Sequence, residues 1–495
     1  MFFTFVTSIC CILPLFLYYF YLKWIKEDEC LGITEPPTIP LIGNLHMVWS
    51  SIQAKTLHLK IVELLNQYGD IIRLRFGTKL FIFTKDLKII EEIVKNPQFI
   101  KSADYEIYEE WFGDGLVNAS GEKWHKMRKL LTPAFHFQIL ERFIPLFEYH
   151  GKIFIKKIQN LSDGTAIDIV PWYHSFALDV ISETSMGVKL NAQNEPNSKF
   201  IVTNKELMDL FSLRFYYPLY SIDWIWKLTK HYRKVCEGIS YVHTFVENII
   251  NQRREELIAN NNEINELEKS ALLDILLKAT IDGKPLTNKI IRDEITTFIT
   301  AGHETTGSVL GFITFMLVKY PEVQNRVYEE IKENCLDDSS KRITINDITS
   351  LTYLDCVIKE TLRLYPTFPC NFKQCLEDVS FGKIFIPART TIVTANLANH
   401  MCDKNFKNPG IFNPDRWNDE VSTKDRNPYA YQPFAAGVRS CIGKKFALLE
   451  IKTLLIKILR EFQLEIGYEG FEMDIRNTTL THSANGVQVK FKKRN

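Results

Sequence analysis

Cys441 and the residues around it form the part of the sequence that is best suited to chemistry. Phe434, Gly437 and Arg439 precede this cysteine, Gly443 follows it, and an amphipathic helical pattern begins directly afterwards. We expect the first N–H groups of that helix, and the positive end of its dipole, to stabilise a Cys441 thiolate. The two glycines would let the backbone approach a large flat group, and Arg439 would bind a carboxylate such as a propionate. This segment therefore predicts a haem whose iron is bound by a thiolate.

The spacing of these residues, F-x-x-G-x-R-x-C-x-G, resembles the haem-binding loop of the cytochrome P-450 monooxygenases at every fixed position. The resemblance implies haem b, with Cys441 as the axial ligand of its iron and with Phe434, Gly437, Arg439 and Gly443 around it. It also implies the family's fold, which is mainly α with small β-sheets: a helical prism with the haem between the long central helix and the loop of the cysteine ligand. The alternative, a buried structural thiol in a turn, leaves the spacing of the glycines and the arginine unexplained.

A second candidate site is the sequence F-I-T-A-G-H-E-T-T, which lies inside a long apolar helical pattern. Ala301 and Thr305 are four residues apart and share one face, and Gly302 would thin the helix enough to leave a groove for dioxygen. The segment resembles the family's A-G-x-[D/E]-T-T oxygen-binding motif. The resemblance implies that Thr305 hydrogen-bonds the iron-bound peroxo group and that Glu304 brings in protons. His303 and Glu304 also begin a metalloprotease motif, H-E-x-x-H, but the second histidine is absent.

Glu360 and Arg363 form an E-x-x-R pair, three residues apart on one face of a predicted helix. Alone, such a pair is typical of any solvated helix surface. Together with the later segment Phe412–Trp417, however, it resembles the family's glutamate–arginine–arginine cluster, whose third member would be Arg416. The resemblance implies a structural role, so we expect substitutions here to impair folding and haem loading.

Trp124 and Arg128 are four residues apart on another predicted helix, where an indole N–H and a guanidinium can bind one propionate together. The pair resembles the family's W-x-x-x-R motif. Lys373 stands where the family commonly carries a propionate-binding arginine, and it keeps the charge without the bidentate fork. Ala301 stands where fatty-acid hydroxylases of the family often carry a glutamate that is esterified to the haem. We therefore predict that the haem is held non-covalently, which leaves selectivity for a terminal carbon open.

Four lysines are predicted to form a basic patch on the thiolate side of the haem. An acidic flavoprotein, NADPH-cytochrome P-450 reductase, would dock there with a salt-sensitive affinity, and cytochrome b5 is a second candidate partner. The alternative is that they are ordinary surface lysines. The four residues are Lys126, Lys129, Lys444 and Lys445.

The composition is that of a globular protein with a substantial core. Of 495 residues, 46% are hydrophobic and 24% are charged, and the net charge of +1 gives no field suited to nucleic acid. The ten cysteines contain no C-x-x-C pair, so we interpret them as reduced thiols in a cytosolic environment.

The first 22 residues contain no charged side chain and are long enough to span a bilayer. Lys23 and Lys26 follow, which favours a cytosolic position for the rest of the chain. A cleaved signal peptide is the alternative, but a basic start and an A-x-A-like site are absent. We predict a transmembrane anchor at 1–22 in the endoplasmic reticulum membrane, a basic, proline-rich hinge at 23–43, and one haem-thiolate monooxygenase domain at 44–495.

Helical periodicity predominates in the body of the chain, and short β-rich segments occur between the helices. Strands near the amino terminus are expected to pair with those near Ser380–Thr394 in one small sheet. The predicted helices are Leu57–Tyr68, Lys85–Lys95, Glu122–Leu131, Lys234–Asn260, Thr287–Lys319, Glu322–Glu333, Leu354–Leu364 and Ile442–Glu461. The predicted strands are Ile71–Arg75, Leu80–Thr84, Ser380–Ile386, Thr391–Thr394 and Gly486–Phe491.

Two further segments, Trp124–Phe137 and Ile181–Gly187, resemble the fatty-acid hydroxylase branch known as family four, and the overall texture resembles insect members. Aromatic residues such as Phe211, Phe215 and Tyr216 lie where the resemblance places the substrate pocket. They would bind an apolar substrate, although such residues are as often plain core.

These observations predict a membrane-anchored monooxygenase that uses O2 and electrons from NADPH. It would hydroxylate or epoxidise a lipophilic fatty acid, terpenoid or hormone, or xenobiotic. One alternative is a haem-thiolate isomerase or dehydratase that acts on a preformed peroxide; Glu304 and Thr305 argue against it, because such enzymes need no proton relay. The other is a non-catalytic haem- or lipid-binding protein.

Overall fold

The computed structural model describes residues 32–77, 79–161, 164–259, 271–334, 338, 341–418 and 425–494. The predicted anchor at 1–22 and residues 23–31 of the predicted hinge lie outside the described residues. In the part of the chain that is described, none of the helices combines the length and the apolar character needed to cross a bilayer.

Helices make up most of the structure, as predicted, and the strands are short. The helices are α1 (Leu45–Gln53), α2 (Leu57–Tyr68), α3 (Leu87–Lys95), α4 (Glu109–Phe112), α5 (Gly121–Leu131), α6 (Phe137–Leu161), α7 (Val170–Met186), α8 (Lys199–Tyr216), α9 (Asp223–Lys227), α10 (Lys230–Ala259), α11 (Leu272–Lys278), α12 (Asn288–Lys319), α13 (Pro321–Glu333), α14 (Ile345–Ser350), α15 (Thr352–Leu364), α16 (Asn396–His400) and α17 (Lys444–Glu461). The strands are β1 (Ile71–Phe76), β2 (Lys79–Thr84), β3 (Phe99–Lys101), β4 (Ile167–Asp168), β5 (Thr280–Ile281), β6 (Lys284–Pro285), β7 (Asn371–Cys375), β8 (Val379–Phe381), β9 (Ile384–Ile386), β10 (Thr391–Thr394), β11 (Phe462–Ile466), β12 (Ile475–Asn477), β13 (Thr481–Ser483) and β14 (Gln488–Lys493).

The described residues divide into two compact units. One contains the chain up to Asp104 together with Phe368–Lys407 and Asn427–Val438. It is built on a five-stranded sheet of order β1-β2-β10-β7-β3, in which β10 runs parallel to β2 and the other neighbours are antiparallel. Ile82 and Ile392 are adjacent in register and fully buried, so the pairing of β2 with β10 places both side chains in the core.

The second unit contains Tyr105–Thr367, Asn408–Arg426 and Arg439–Asn495. Its centre is α12, which begins after Thr287, whose side chain caps the Ile290 N–H, and which is buried along most of its length. Helix α7 packs closely against α12 because glycines of α12 leave room for its side chains. A Cβ on Gly302 would lie 2.6 Å from the Ile181 side chain. Gly302 therefore makes room for Ile181 of α7, and the groove for dioxygen stays a prediction.

Candidate active site

Cys441 lies just before α17, whose N-cap is Gly443. Cys441 remains accessible to solvent, but the protein atoms packed around it partly desolvate the thiol and raise its pKa. Hydrogen bonds from the Gly443 and Lys444 N–H groups and the charge of Arg128 lower it. The groups expected to stabilise a thiolate are therefore present, but desolvation outweighs them in the polypeptide alone. A metal ion on the sulfur would reverse that balance, because a coordinated thiol is deprotonated.

Arg439 is held by α5 and by the residues just before it. Its guanidinium lies 3.9 Å from the ring centroid of Trp124, and Nη2 donates a hydrogen bond of 2.8 Å to the Ala119 carbonyl. Trp124 is buried, so its indole ring is held in place and forms a cation–π contact with Arg439. Burial, and then repulsion by Arg128, lower the pKa of Arg439 to about 10.

Arg128 lies one helical turn after Trp124, and its Nη1 donates a hydrogen bond of 3.0 Å to the carbonyl of Ser440. Burial lowers the pKa of Arg128, and the thiolate form of Cys441 would raise it. Among the residues that the structure describes, neither Arg128 nor Arg439 forms an ion pair with a carboxylate. Two half-buried guanidinium groups without carboxylate partners attract anions, which fits a thiolate and the propionates of a haem.

The middle of α12 is open to solvent on one face only. Ala301 is exposed and Thr305 is half-buried, although residues on both sides of them are buried. The Thr305 hydroxyl donates a hydrogen bond of 2.8 Å to the Ala301 carbonyl. Since these two residues are one turn apart on the same face, α12 has one solvent-accessible face at this point within an otherwise buried stretch.

Glu304 points to a different side, toward two histidines. Its Oε1 lies 3.1 Å from Nε2 of His303, and its Oε2 lies 3.7 Å from Nδ1 of His174 on α7. Burial opposes ionisation of Glu304, but the two imidazoles beside it, His174 and His303, together with the hydrogen bond from His303, outweigh burial and lower the pKa of the carboxyl to about 2. Glu304 is therefore a carboxylate at neutral pH, and the proton nearest to it resides on an imidazole.

The structure brings Glu360, Arg363 and Arg416 together in a network in which Glu360 and Arg363 are fully buried and Arg416 is half-buried. Glu360 Oε1 accepts from Arg363 Nη2 at 2.9 Å and from Arg416 Nε at 2.8 Å. Its Oε2 accepts from Arg363 Nε at 2.9 Å and from the Trp417 indole at 3.0 Å. The Asn413 N–H adds a further bond of 2.9 Å. Glu360 therefore ties α15 to the segment that contains Arg416.

The remaining predicted site residues belong to the sheet-containing unit. Gly437 has φ +68°, and a Cβ there would lie 2.6 Å from the Val94 side chain of α3. A protein side chain therefore occupies the space beside Gly437, whereas the sequence predicted a large flat group there. Phe434 is half-buried in the same segment, and Lys373 is half-buried on β7, where it pairs with Ile392.

The four lysines of the predicted basic patch differ in their surroundings. Lys126 is bonded to Asp282 at 2.7 Å and to Glu122 at 2.9 Å. Its charge is therefore largely compensated. Lys129, Lys444 and Lys445 are exposed.

Sequence reasoning missed four residues of these clusters. His303 occupies the variable position of the A-G-x-[D/E]-T-T motif, so its place beside Glu304 could have drawn attention to it. Asn413 and Trp417 lie in the same segment as Arg416 and could have been included with it. His174 gives no signal in the sequence, because only the packing of α7 on α12 brings it near Glu304.

Comparisons with known proteins agree with this geometry. The cytochrome P-450 family model matches residues 34–491. Cytochrome P-450 4d2 of Drosophila melanogaster is 36% identical over 474 residues, covering 93% of each chain. Probable cytochrome P-450 4d21 of the same fly is 35% identical over 494 residues, covering 95% of each chain. The crystal structure of the cytochrome P-450DA heme domain, 22% identical, has a TM-score of 0.82 and covers 94% of this chain and 98% of that one.

The chain belongs to the cytochrome P-450 family. It is a haem-thiolate monooxygenase, an oxidoreductase that receives electrons from a redox partner and acts on a lipophilic substrate. The predicted fold is confirmed by the structural match, and the resemblance to insect family-four members is confirmed by the fly relatives.

Proposed function

We propose that the protein hydroxylates or epoxidises a fatty acid, a terpenoid or hormone, or a xenobiotic at the endoplasmic reticulum membrane. Electrons would come from NADPH through NADPH-cytochrome P-450 reductase, with cytochrome b5 as a second candidate donor. The observation that carries the proposal is the pair of unpaired guanidinium groups, Arg128 and Arg439, close to Cys441 in the described residues. That arrangement suits an anionic cofactor held by sulfur.

The haem would be held without a covalent bond to the protein, since Ala301 offers no carboxylate. Cys441 would bind its iron, and when bound the group supplies the reduction of O2 and the insertion of one oxygen atom into the substrate. The positive and indole side chains Trp124, Arg128, Arg439 and Lys373 would hold its propionates. Phe434, Gly437, Gly443 and Ala301 would surround the ring. Glu360, Arg363 and Arg416 would keep the supporting segment in place.

Thr305 and Glu304 would handle protons. The Thr305 hydroxyl donates to the Ala301 carbonyl, and rotation about χ1 would let it donate away from the helix instead. Glu304 would pass protons toward Thr305. Because its carboxylate faces His174 and His303, this step requires the Glu304 side chain to turn.

The exposed lysines Lys129, Lys444 and Lys445 support docking of an acidic reductase, whereas Lys126 is compensated by its own acidic neighbours. Lys445→Glu should raise the reductase concentration needed for half-maximal turnover without altering the haem spectrum. Lys492→Glu, which reverses an exposed lysine of β14, is the matched control and should have no such effect. If Lys445→Glu shows an unchanged reductase dependence, the docking proposal is wrong.

An apolar surface supports the membrane location. Leu219, Trp224 and Leu228 lie within ten residues of one another and are 66%, 67% and 79% exposed. Such a patch is costly in water and suits the headgroup boundary of a bilayer. We propose that the catalytic body faces the cytosol and that this segment contacts the membrane beside the predicted anchor at 1–22.

Two of the aromatic residues named as pocket candidates, Phe211 and Tyr216, make contacts that favour a structural role. Phe211 is fully buried and stacks on Trp111 at a centroid distance of 5.3 Å, which favours plain core for this residue. The Tyr216 hydroxyl lies 2.6 Å from the Asn477 side chain, which also indicates a structural bond. The substrate is therefore best sought by experiment.

The test is product analysis after incubation with reductase, NADPH and a panel of fatty acids, terpenoids and xenobiotics. The proposal expects one or more oxygenated products whose formation needs both NADPH and O2. Product formed from an organic peroxide without NADPH would favour the isomerase or dehydratase. Tight lipid binding with no product from any compound would favour the non-catalytic alternative.

A further inference from the structure

His303 has two hydrogen-bonding partners, and both are acceptors. Its Nδ1 lies 2.7 Å from the Ile299 carbonyl, and its Nε2 lies 3.1 Å from Oε1 of the Glu304 carboxylate. A carbonyl and a carboxylate cannot donate, so each ring nitrogen must carry a hydrogen. Because Glu304 is ionised, this geometry makes His303 an imidazolium, and the two residues form an ion pair inside α12.

This charged histidine is stable although it is buried. Burial alone would lower the pKa of His303, but the Glu304 carboxylate and the Ile299 carbonyl raise it above its ordinary value. The ring is 6% exposed, so water reaches it poorly. The proton on Nε2 is thus stabilised mainly by the Glu304 carboxylate that it faces, with a smaller contribution from the Ile299 carbonyl at Nδ1.

His174 lies on the other side of Glu304 and differs from His303. Its Nδ1 is 3.7 Å from Glu304 Oε2, which is too long for a hydrogen bond, and it has no other bond among the described residues. Burial lowers the pKa of His174 more than Glu304 raises it, and His303, Lys205 and His482 lower it further. Glu304 therefore lies between two imidazoles, of which His303 holds its proton more strongly than His174 does.

A glycine of α12, Gly307, makes room for the His174 ring beside Glu304. A Cβ on Gly307 would lie 2.7 Å from Nδ1 of His174, so any larger residue at 307 would push the ring away from α12. The ring centroids of His174 and His303 are 6.4 Å apart. Both imidazoles are thus within reach of one carboxylate through the contact of α7 with α12.

We propose that His303 stores the proton that Glu304 passes toward Thr305. The proton leaves Nε2, its N–H electron pair stays on the imidazole, and an O–H bond forms at Oε1, which gives a neutral histidine and a neutral carboxyl. Glu304, whose side chain is 22% exposed, then turns and releases this proton toward Thr305, and a proton from solvent returns to His303 through the same carboxylate. His303 acts through Glu304 and is therefore a positioning residue. This inference rests on the proposed role of Glu304.

The first test measures the proton directly and needs no turnover. The measurement is NMR of histidine-labelled holoenzyme in its reduced carbon monoxide complex, which is diamagnetic. The signal of His303 is identified as the one that is missing from the spectrum of His303→Gln. Its titration midpoint should lie above that of a free histidine. The midpoint should fall in Glu304→Gln, because the carboxylate that counteracts the effect of burial on the His303 pKa is then absent. A midpoint at or below the ordinary value, or one unchanged by Glu304→Gln, would overturn the proposal.

The second test compares coupling, the share of NADPH electrons recovered in product. In the wild type, coupling should decline as the pH rises above the His303 pKa, because His303 then loses its proton. His303→Gln keeps a hydrogen-bond donor beside Glu304 but cannot carry the proton, so its coupling should be severalfold lower and should not show this decline. His150→Gln alters a buried histidine that is paired with Glu183 at 2.8 Å and serves as control; its coupling should match the wild type. Wild-type coupling and pH profile in His303→Gln would contradict the inference.

The two tests separate this inference from the proposed function. If the monooxygenase proposal fails, the wild-type protein forms no product, while the histidine titration still reports the pairing of His303 with Glu304. If only the inference fails, wild-type product forms normally and His303→Gln behaves like the wild type.

Discussion

The guanidinium of Arg439 lies 3.9 Å from the centre of the Trp124 ring. Arg439 is two residues before Cys441, which stands at the position of the cysteine that binds the iron in this family. Because Trp124 belongs to α5 and is buried, the contact fixes the conformation of the chain just before Cys441. Stacking of this kind needs the flat, delocalised face of arginine, which lysine lacks.

Arg439→Lys should therefore lower haem content while it leaves the charge in place. We expect a loss of about 1–2 kcal/mol of stabilisation from the stacked pair, because the ammonium group cannot cover the indole and form the bond to Ala119 together. The measurement is the haem-to-protein ratio of purified protein, together with thermal unfolding. Haem content equal to that of the wild type would show that charge alone suffices at position 439.

Glu360→Gln should damage folding more than any surface ion pair does. The variant leaves the buried Arg363, which is 0% exposed, and Arg416 without a counter-charge, at a cost of about 3–5 kcal/mol. Lys95→Ala, which removes an exposed pair with Glu91, is the control and should change stability little, because solvent screens such a pair. Urea unfolding of both variants checks this, and equal costs would refute the structural role of Glu360.

Thr305→Ala should leave haem binding intact and divert electrons from product to hydrogen peroxide. The hydroxyl is bonded to the Ala301 carbonyl within its own helix, so its removal costs little stability. NADPH consumption, peroxide and product are measured together. Normal coupling in this variant would contradict the role given to Thr305.

Glu450 on α17 predicts a pH dependence of stability. Burial raises the pKa of this carboxyl well above its ordinary value, although a hydrogen bond with Thr306 lowers it, and its Oε1 lacks a hydrogen-bond partner within the described ranges. The folded state thus keeps a proton that the unfolded chain loses above its ordinary pKa. Stability contributed by this group falls as pH rises from that value toward the folded pKa.

Glu450→Gln removes the titration and keeps a neutral side chain of similar size. The difference in melting temperature, variant minus wild type, should therefore become more positive between pH 5 and pH 8. Other titrating groups cancel in the difference. A difference that is constant over this range would mean that Glu450 is ionised in the folded protein.

Regular amphipathic helices were predictable from the sequence, and buried ones were not. Helix α2 matches its predicted bounds, and α12 begins one residue after the predicted start because Thr287 is its cap. Helix α7 is buried on nearly every side and so shows no polar face to give a period. Helix α6 contains Pro145, which predicts a break.

The small sheet was predicted in part. Strand β10 pairs with β2 as expected, but Ser380–Ile386, predicted as one strand, forms the separate hairpin β8–β9 with a turn at Gly382, whose φ is +63°. Strand β7, which carries Lys373, was missed because N-F-K-Q-C has neither alternation nor β-branched residues.

In the active site, the motif residues were predictable because their spacing carries the chemistry. The pairing of Arg439 with Trp124 and the histidines around Glu304 were not, since both depend on contacts between segments far apart in the chain. A motif names the residue that reacts, whereas packing decides which neighbour holds its proton or orients its charge.

Spectroscopy of the reduced protein with carbon monoxide tests the central claim most directly. Wild-type protein should show the strongly red-shifted Soret band that sulfur ligation of haem iron produces, and Cys441→Ser should lose that band. A Cys441→Ser variant that retains the band, or wild-type protein that contains no iron porphyrin, would contradict the account.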